Sequence, residues 1–451
     1  MNGVAMTRRG VRLGMLVRVL AACALAAAAP GAREAVAEVD LRAVLGDVNV
    51  AGADHWIYND LAKAIAEAKR ANKPLLAVFR CVPGKVGAGF DDAVTRTNQT
   101  IVELARTHFV CVRMVDLRGV DLSQFQFDYD LSWAALFLNA DGTVYGRYGT
   151  QSAKGPEAYN NAASLQRAML RVLTLHAEYP ANAPSLAGKR GPAKPYQTAL
   201  EMPGLEDKEL LRGPTTRENC LRCHAIHDAE HNEWQGKGPL NAELLWRSPL
   251  PEALGLTISA KDGSQVVGVR AASPAELAGL LPGDYLMRVN GQPMVSIADL
   301  QWILHNLPNA NQSVEVEFVR EQKLATVKLQ LLKGWKRTDF SWRASVWSIK
   351  PRLPLWAEEL TDDEMLEHSL PSGTTAHRVM RIDTTKREGQ AASEAGLRAG
   401  DVIIGVAGKP FSFGARDFQL YVRQNYKAGD KVPLSILRNG RPLKVELPLL
   451  P

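Results

Sequence analysis

Apolar positions between residues 54 and 180 fall into two alternating periods. Leu61, Ile65 and Ala68 recur at helical spacing and stop at Asn72-Lys73-Pro74, which predicts a helix over Asn59 to Arg70. Leu75 to Phe79 follows as a continuous apolar run, the pattern of a strand buried on both faces. Further on, the periods predict a helix at Asp91 to Thr107 and a strand at Phe109 to Val115. Leu136-Phe137-Leu138 then turns through Asn139-Ala140-Asp141-Gly142 into Val144 to Tyr148, and an Asp-Gly step between apolar runs is a hairpin signal. Strands alternating with helices and closing in a hairpin make a small α/β sandwich with a mixed sheet.

From residue 181 to about 246 the periodicity weakens, broken by Pro184, Pro192, Pro195, Pro203 and Pro214, so an irregular connector is expected there. Beyond residue 247 the chain repeats itself. Ala278-Gly279-Leu280 with Gly283-Asp284 returns as Ala395-Gly396-Leu397 with Gly400-Asp401, an offset of 117, and Val289-Asn290-Gly291 returns as Val406-Ala407-Gly408. Asp299-Leu300 answers Asp417-Phe418, and Val319-Arg320 answers Leu437-Arg438, both at 118. Matches in one order and one register indicate a duplicated domain.

With 451 residues the chain has room for several domains. Its start reads as an export signal: Arg8, Arg9, Arg12 and Arg18 precede the apolar run Val19 to Ala29, and Ala35-Val36-Ala37 offers a cleavage site. Leu20-Ala21-Ala22-Cys23 provides an alternative, a lipid anchor at Cys23. Of the formal charge of +6, residues 1–37 carry +4 (five Arg and one Glu), leaving +2. Without a basic stripe, nucleic acid is not an expected partner. The location implied is the periplasm or cell envelope.

The order of helix, strand, cysteine and helix around Leu75 to Thr107 resembles the thioredoxin fold, with Cys81 at the strand-to-helix turn where that fold places its attacking thiol. A helix N-terminus favours a thiolate at such a turn, so Cys81 is the candidate catalytic residue. The segment reads Cys81-Val82-Pro83-Gly84, without a resolving cysteine three residues on, and Ser132-Trp133-Ala134 stands where thioredoxins carry a cis-proline. A structural domain that has lost its dithiol is the competing reading. Cys111, inside an apolar run, reads as core.

Cys220-Leu221-Arg222-Cys223-His224 has the spacing of covalent haem c attachment. Two thiols three apart lie on one side of a helical turn and the next residue offers an imidazole to iron. Cys220, Cys223 and His224 are therefore the expected cofactor ligands, with His224 on the metal. A redox-active cysteine pair, or zinc with His227 and His231 added, remains open beside it. Met202, Met365, His368 and His377 are the candidates for a sixth iron ligand.

The duplicated unit resembles the PDZ domain of bacterial envelope proteins, whose small-residue helix, Gly-Asp turn and Val-Asn-Gly strand end match Ser273-Pro274-Ala275 through Gly291. Such domains take an extended peptide on a sheet edge and hold its C-terminal carboxylate with backbone N–H groups. Leu254, Gly255, Leu256 and Thr257 fit that loop in the first copy, where a groove filled from within the chain is the alternative. In the second no comparable Φ-Gly-Φ segment precedes Val379 to Ile382, and a packing or dimerising role is the alternative to peptide binding there. No Gly-x-Ser-x-Gly nucleophile setting is visible, which argues against a protease.

As a whole the chain is similar to bacterial thioredoxin-fold/PDZ-domain (seleno)proteins. The expectation is a signal peptide at 1–37, a thioredoxin-like α/β domain at 38–180, an irregular haem-binding connector at 181–246, an α+β PDZ domain at 247–333, a linker at 334–367 and a second PDZ domain at 368–451. The function expected is an exported haem c redox, electron-transfer or redox-sensing protein; whether it is an enzyme is left open, the expectation leaning against it, and an enzyme would be an oxidoreductase, not a protease. It would dock protein or peptide C-termini through its PDZ units and exchange electrons with a further partner. A non-enzymatic envelope scaffold is the alternative.

Overall fold

The computed structural model describes residues 40–45, 54–80, 87–235, 245–340, 342–347 and 349–450. The expected signal peptide, Cys23 and Cys81 lie outside the described residues. Within them the chain is multidomain with mixed α/β content.

The first domain is built on a five-stranded sheet ordered β1 (Trp56–Tyr58), β3 (Val110–Met114), β2 (Leu75–Arg80), β4 (Trp133–Leu138) and β5 (Val144–Tyr148). β1, β3 and β2 run parallel, and β4 and β5 join antiparallel. The apolar runs read as doubly buried strands are so because successive side chains feed different layers. Leu75, Ala77 and Phe79 enter one cluster with Leu136 and Leu138, while Leu76 and Val78 enter another with Ala135 and Phe137.

Helix α1 (Leu61–Ala71) is started by the Asp60 side chain, which accepts from the Lys63 N–H at 2.8 Å, and stopped by Asn72 in the left-handed region. It covers the first face through Ala64 and Ala68. Helices α2 (Gln99–His108) and α3 (Ala162–Ala177) cover the second through Ile101, Ala105, Leu165, Ala168, Met169 and Val172. Cys111 belongs to that second layer, where burial pushes its thiol pKa up.

The proline-broken segment is not a free connector. Met202, Leu205, Leu221, Cys223, Ile226 and Ala229 complete the first-face cluster, and helix α4 (Cys223–Gln235) lies within this layer. Its apolar residues are too sparse in sequence to signal a helix packed on a sheet, so the contact could be found only in three dimensions.

The two repeats share one plan. In the first, β6 (Leu256–Ile258) pairs with β7 (Val266–Val269), and β8 (Tyr285–Val289), β9 (Gln292–Pro293), β10 (Gln312–Arg320) and β11 (Lys323–Leu331) form a four-stranded sheet. Helix α5 (Ile297–Asn306) closes its core through Leu300, Ile303 and Leu304. In the second, β12 (Leu355–Glu359), β13 (His377–Ile382), β14 (Val402–Val406), β16 (Lys431–Arg438) and β17 (Arg441–Pro448) follow in that order, with β15 (Lys409–Pro410) beside β14 and helix α6 (Ala415–Asn425) over the core. β12 falls inside the stretch read as linker 334–367. That stretch therefore supplies an edge strand to the second repeat, carried away from β13 by an insertion holding the short helix Asp362–Glu367.

Candidate functional site

The repeats owe their common shape to the residues that made them visible in sequence. Asp284 follows the positive-φ Gly283 and receives Arg320 Nε at 2.7 Å, while Arg320 Nη2 donates to the Gly279 carbonyl at 2.8 Å. Asp401 follows Gly400 and receives Arg438 Nε at 2.7 Å, and Arg438 Nη2 donates to the Gly396 carbonyl at 2.6 Å. Each turn is thus locked by one buried carboxylate serving an Arg fork and a backbone N–H.

Each repeat presents an edge strand beside a helix: β6 with α5, and β12 with α6. In the first, Gly255 ends a short helical turn at φ 84°, and a Cβ there would stand 2.1 Å from Ser273 Cβ, so the position admits only glycine. The Gly255 carbonyl accepts from Arg270 N–H at 2.8 Å. Its own N–H is turned back onto the Glu252 carbonyl at 3.0 Å. Leu254 and Leu256 point into the core, and Thr257 faces out.

The corresponding loop of the second repeat escaped the sequence reading. Leu355 pairs with Ile382 and Ala357 with Val379, as Leu256 pairs with Val269 and Ile258 with Val266. The Pro354 carbonyl accepts from Asp383 N–H at 2.9 Å, in the place of Gly255 and Arg270. Leu353-Pro354-Leu355-Trp356 is therefore the structural counterpart of Leu254-Gly255-Leu256-Thr257. It was hidden because the insertion breaks the 117-residue register and proline replaces the diagnostic glycine. Proline carries no N–H, so this loop has one backbone donor fewer.

The helices differ in what they touch. Gln419 on α6 reaches the Leu355 carbonyl at 3.4 Å, and Arg423 Nε donates to the Ile349 carbonyl at 2.7 Å. On α5, Asp299 meets Lys189 Nζ at 2.8 Å, both side chains 1% exposed, and accepts from Arg147 N–H at 3.0 Å. Gln301 receives Thr150 Oγ1 at 2.8 Å and donates to the Ser248 carbonyl at 3.0 Å. Trp302 Nε1 donates to the Gly188 carbonyl at 3.1 Å, under the Arg147 guanidinium at 3.7 Å.

A cavity of about 280 Å³ adjoins α4, between Phe127 and Tyr129 of the first domain, Trp302 and His305 of α5, and Phe340. His227, Glu230 and His231 face it. Burial works to raise the Glu230 pKa, but Arg247 and Lys194 at 2.6 and 2.7 Å overcome it and hold the group at about 2. Burial, then the neighbouring His227, takes His231 down to about 4. Burial with Arg247 and Lys336 takes His305 to about 3.

The expected haem ligands do not assemble. Cys220 and Cys223 are each 3% exposed, free of a disulfide, and buried in separate apolar groups: Cys220 with Leu45 and Val115, Cys223 with Met202 and Ile226. His224 Nε2 stands 3.6 Å from Asp130 Oδ1. Neither cysteine nor His224 lines the cavity beside α4. A porphyrin needs both sulfurs on one open slot with the imidazole over its centre, and these residues do not fit that group as placed. Of the sixth-ligand candidates, Met202 packs with Cys223, whereas Met365 and His377 lie in the second repeat, His377 stacked 4.8 Å from Phe411. Among the described residues no group of three or more His, Cys, Asp or Glu is arranged to hold a metal, so the zinc alternative finds no support either.

Comparison with known proteins fixes the repeats. The PDZ domain family matches residues 253–331 and 379–449, so the chain carries two PDZ domains. A probable periplasmic serine endoprotease DegP-like of Marinomonas sp. is 26% identical over 201 residues, 45% of this chain and 40% of that protein. A probable periplasmic serine protease do/HhoA-like of Haemophilus influenzae is 30% identical over 170 residues, 38% of this chain and 31% of that one. The chain therefore spans less than half the length of these curated relatives. Among solved structures, the HtrA3 PDZ domain bound to a phage-derived ligand is 17% identical, with a TM-score of 0.17, covering 21% of this chain and 81% of that one.

These relatives overturn two expectations. A haem c redox, electron-transfer or redox-sensing protein, with a non-enzymatic scaffold as its alternative, is replaced by a relationship to periplasmic serine endoproteases. The expectation leaning against an enzyme, and against a protease in particular, is corrected by the same finding. The sequence argument rested on a missing nucleophile motif, and kinship through the PDZ tandem does not depend on that motif.

Proposed function

We propose that this chain works in envelope protein quality control, as a protein of the protease and chaperone kind whose PDZ tandem captures extended polypeptide and free C-termini. The observation that carries the proposal is the pair of edge strands, β6 and β12, each lying beside a helix and each following a tight Φ-x-Φ loop. An edge strand adds an extended peptide by main-chain hydrogen bonds, and loop N–H groups add selectivity for a carboxylate. The first loop, with Gly255, is suited to reading a C-terminus; the second, with Pro354, is suited to strand addition alone. A periplasmic location is supported by the names of the relatives. Among the described residues no helix is long and apolar enough to cross a membrane. A thioredoxin-like fold for the first domain is supported by its strand order, three parallel strands followed by an antiparallel pair; no redox activity is attached to it.

The test is fluorescence anisotropy of the full chain with a labelled peptide ending in valine, as free acid and as amide, with casein hydrolysis followed in the same buffer. Binding of the acid form, about tenfold weaker for the amide, is expected, since one charge-assisted hydrogen bond is worth about 1.4 kcal/mol or more. Absence of binding by either form and by unfolded casein would sink the proposal. The hydrolysis trace reads whether cleavage accompanies capture.

A further inference from the structure

We infer that the first PDZ groove is gated by the chain itself: the segment Arg147 to Tyr159 of the N-terminal domain covers the space between α5 and the turn leading into β6, and peptide must displace it. The inference rests on the peptide-binding reading above and adds its regulation.

Four hydrogen bonds at three points place the cover. At its start Arg147 N–H donates to Asp299 Oδ1 at 3.0 Å, and Ser296 Oγ donates to the Arg147 carbonyl at 2.5 Å, fixing the strand end on the first turn of α5. In its middle Thr150 Oγ1 donates to Gln301 Oε1 at 2.8 Å, one helical turn on. At its end Tyr159 packs on the first repeat's core and its hydroxyl donates a hydrogen bond to Glu252 Oε1. The segment thus spans from the helix wall of the groove to the loop at its closed end.

The last contact reaches the recognition loop directly. Glu252 is the residue whose carbonyl takes the Gly255 N–H at 3.0 Å. Tyr159 holds the Glu252 side chain and so pins the turn Pro251–Leu254, whose own backbone bond takes up the Gly255 N–H; release of Tyr159 frees the turn to open. Tyr148, Gly149, Thr150 and Tyr159 also line a small space against Ile297 and Ala298 at the start of α5. The second PDZ domain has no such contact among the described residues: Gln419, the counterpart of Gln301, reaches its own strand at Leu355 instead.

A covered site binds with its intrinsic affinity reduced by the fraction of molecules that are open. Removing two hydrogen bonds and a half-buried ring should raise that fraction about tenfold or more. The experiment uses the full chain, wild type, Y159F and T150A/Y159A, with the valine-terminated peptide. Peptide affinity is read by anisotropy and amide exchange over 297–306 by mass spectrometry. Y159F keeps the packing and loses only the hydroxyl, so it guards against a double variant that folds poorly.

The expected result is faster exchange on α5 and affinity rising in the order wild type, Y159F, T150A/Y159A. Unchanged exchange and equal affinity in all three would overturn the gate while leaving peptide binding intact. Faster exchange in a chain that binds no peptide in any form would overturn the peptide-binding reading, and the gate with it.

Discussion

The two PDZ domains are copies that agree where they specify their own fold and part where they meet the rest of the chain. Asp284 with Arg320 and Asp401 with Arg438 make the same lock at the same distance of 2.7 Å. The helix positions one residue set further out have diverged. Asp299, Gln301 and His305 of α5 hold the N-terminal domain and the entering segment, while Asp417 is exposed and Gln419 and Arg423 of α6 turn to residues 349–355. Duplication preserves a turn because every copy needs it; it frees an outward face because each copy has different neighbours.

The sharpest way to break this comparison is to remove the two matched aspartates. Asp299→Ala leaves the Lys189 ammonium and the Arg147 backbone N–H buried without their carboxylate, and unfolding midpoints in urea should report a loss of about 3–5 kcal/mol. Asp417→Ala should stay within about 0.5 kcal/mol, as an exposed position does. Equal losses would mean that α5 and α6 are docked alike.

Acidification should give the next largest effect, through His305 of the first copy and His231 of α4. The pKa of His305 is about 3 in the fold and that of His231 about 4, both below the ordinary 6.5. The unfolded chain therefore takes up these protons first. Their contribution is complete above pH 7 and is lost as pH falls through 6.5 toward those values, at up to about 1.4 kcal/mol per pH unit for each group. His305→Gln should flatten the stability profile between pH 6 and 4. Arg423, at the matching position of α6, does not titrate in this range, and the acid dependence of the second copy comes instead from His377, whose pKa burial holds below its ordinary value. A profile unchanged by the substitution would contradict the burial of His305 against Arg247 and Lys336.

Arg320→Ala and Arg438→Ala should cost about 1–2 kcal/mol each, the worth of a hydrogen bond to a buried carboxylate, and should match one another within about 0.5 kcal/mol. The same urea titrations report it. A clear inequality would show that the shared turns are not equivalent in energy.

Much of this was legible in the chain. The alternating runs at Leu75 to Phe79 and Leu136 to Leu138 gave the strands of the first sheet, because period-two burial follows directly from strand geometry. The Gly-Asp turns gave the duplication, and Gly255 gave the first loop, because each needs a specific residue for a positive φ or a close approach. Pro354 was opaque for the same reason: the loop it serves keeps its hydrogen bond to Asp383 but not its glycine. The placement of Cys220 to His224 was not legible, because helix α4 begins only at Cys223 and the two thiols enter different apolar groups. The docking of α5 on the first domain depends on Lys189, Asp299 and Thr150, separated by more than a hundred residues from their partners, and carries no local pattern.

The central claim is that the first PDZ domain reads a C-terminus once uncovered and the second does not. Hydrogen-exchange footprinting of the valine-terminated peptide on the full chain carrying T150A/Y159A tests it directly. The account predicts protection of residues 254–258 and 297–306, with 353–359 unchanged. Protection confined to 353–359 would contradict it.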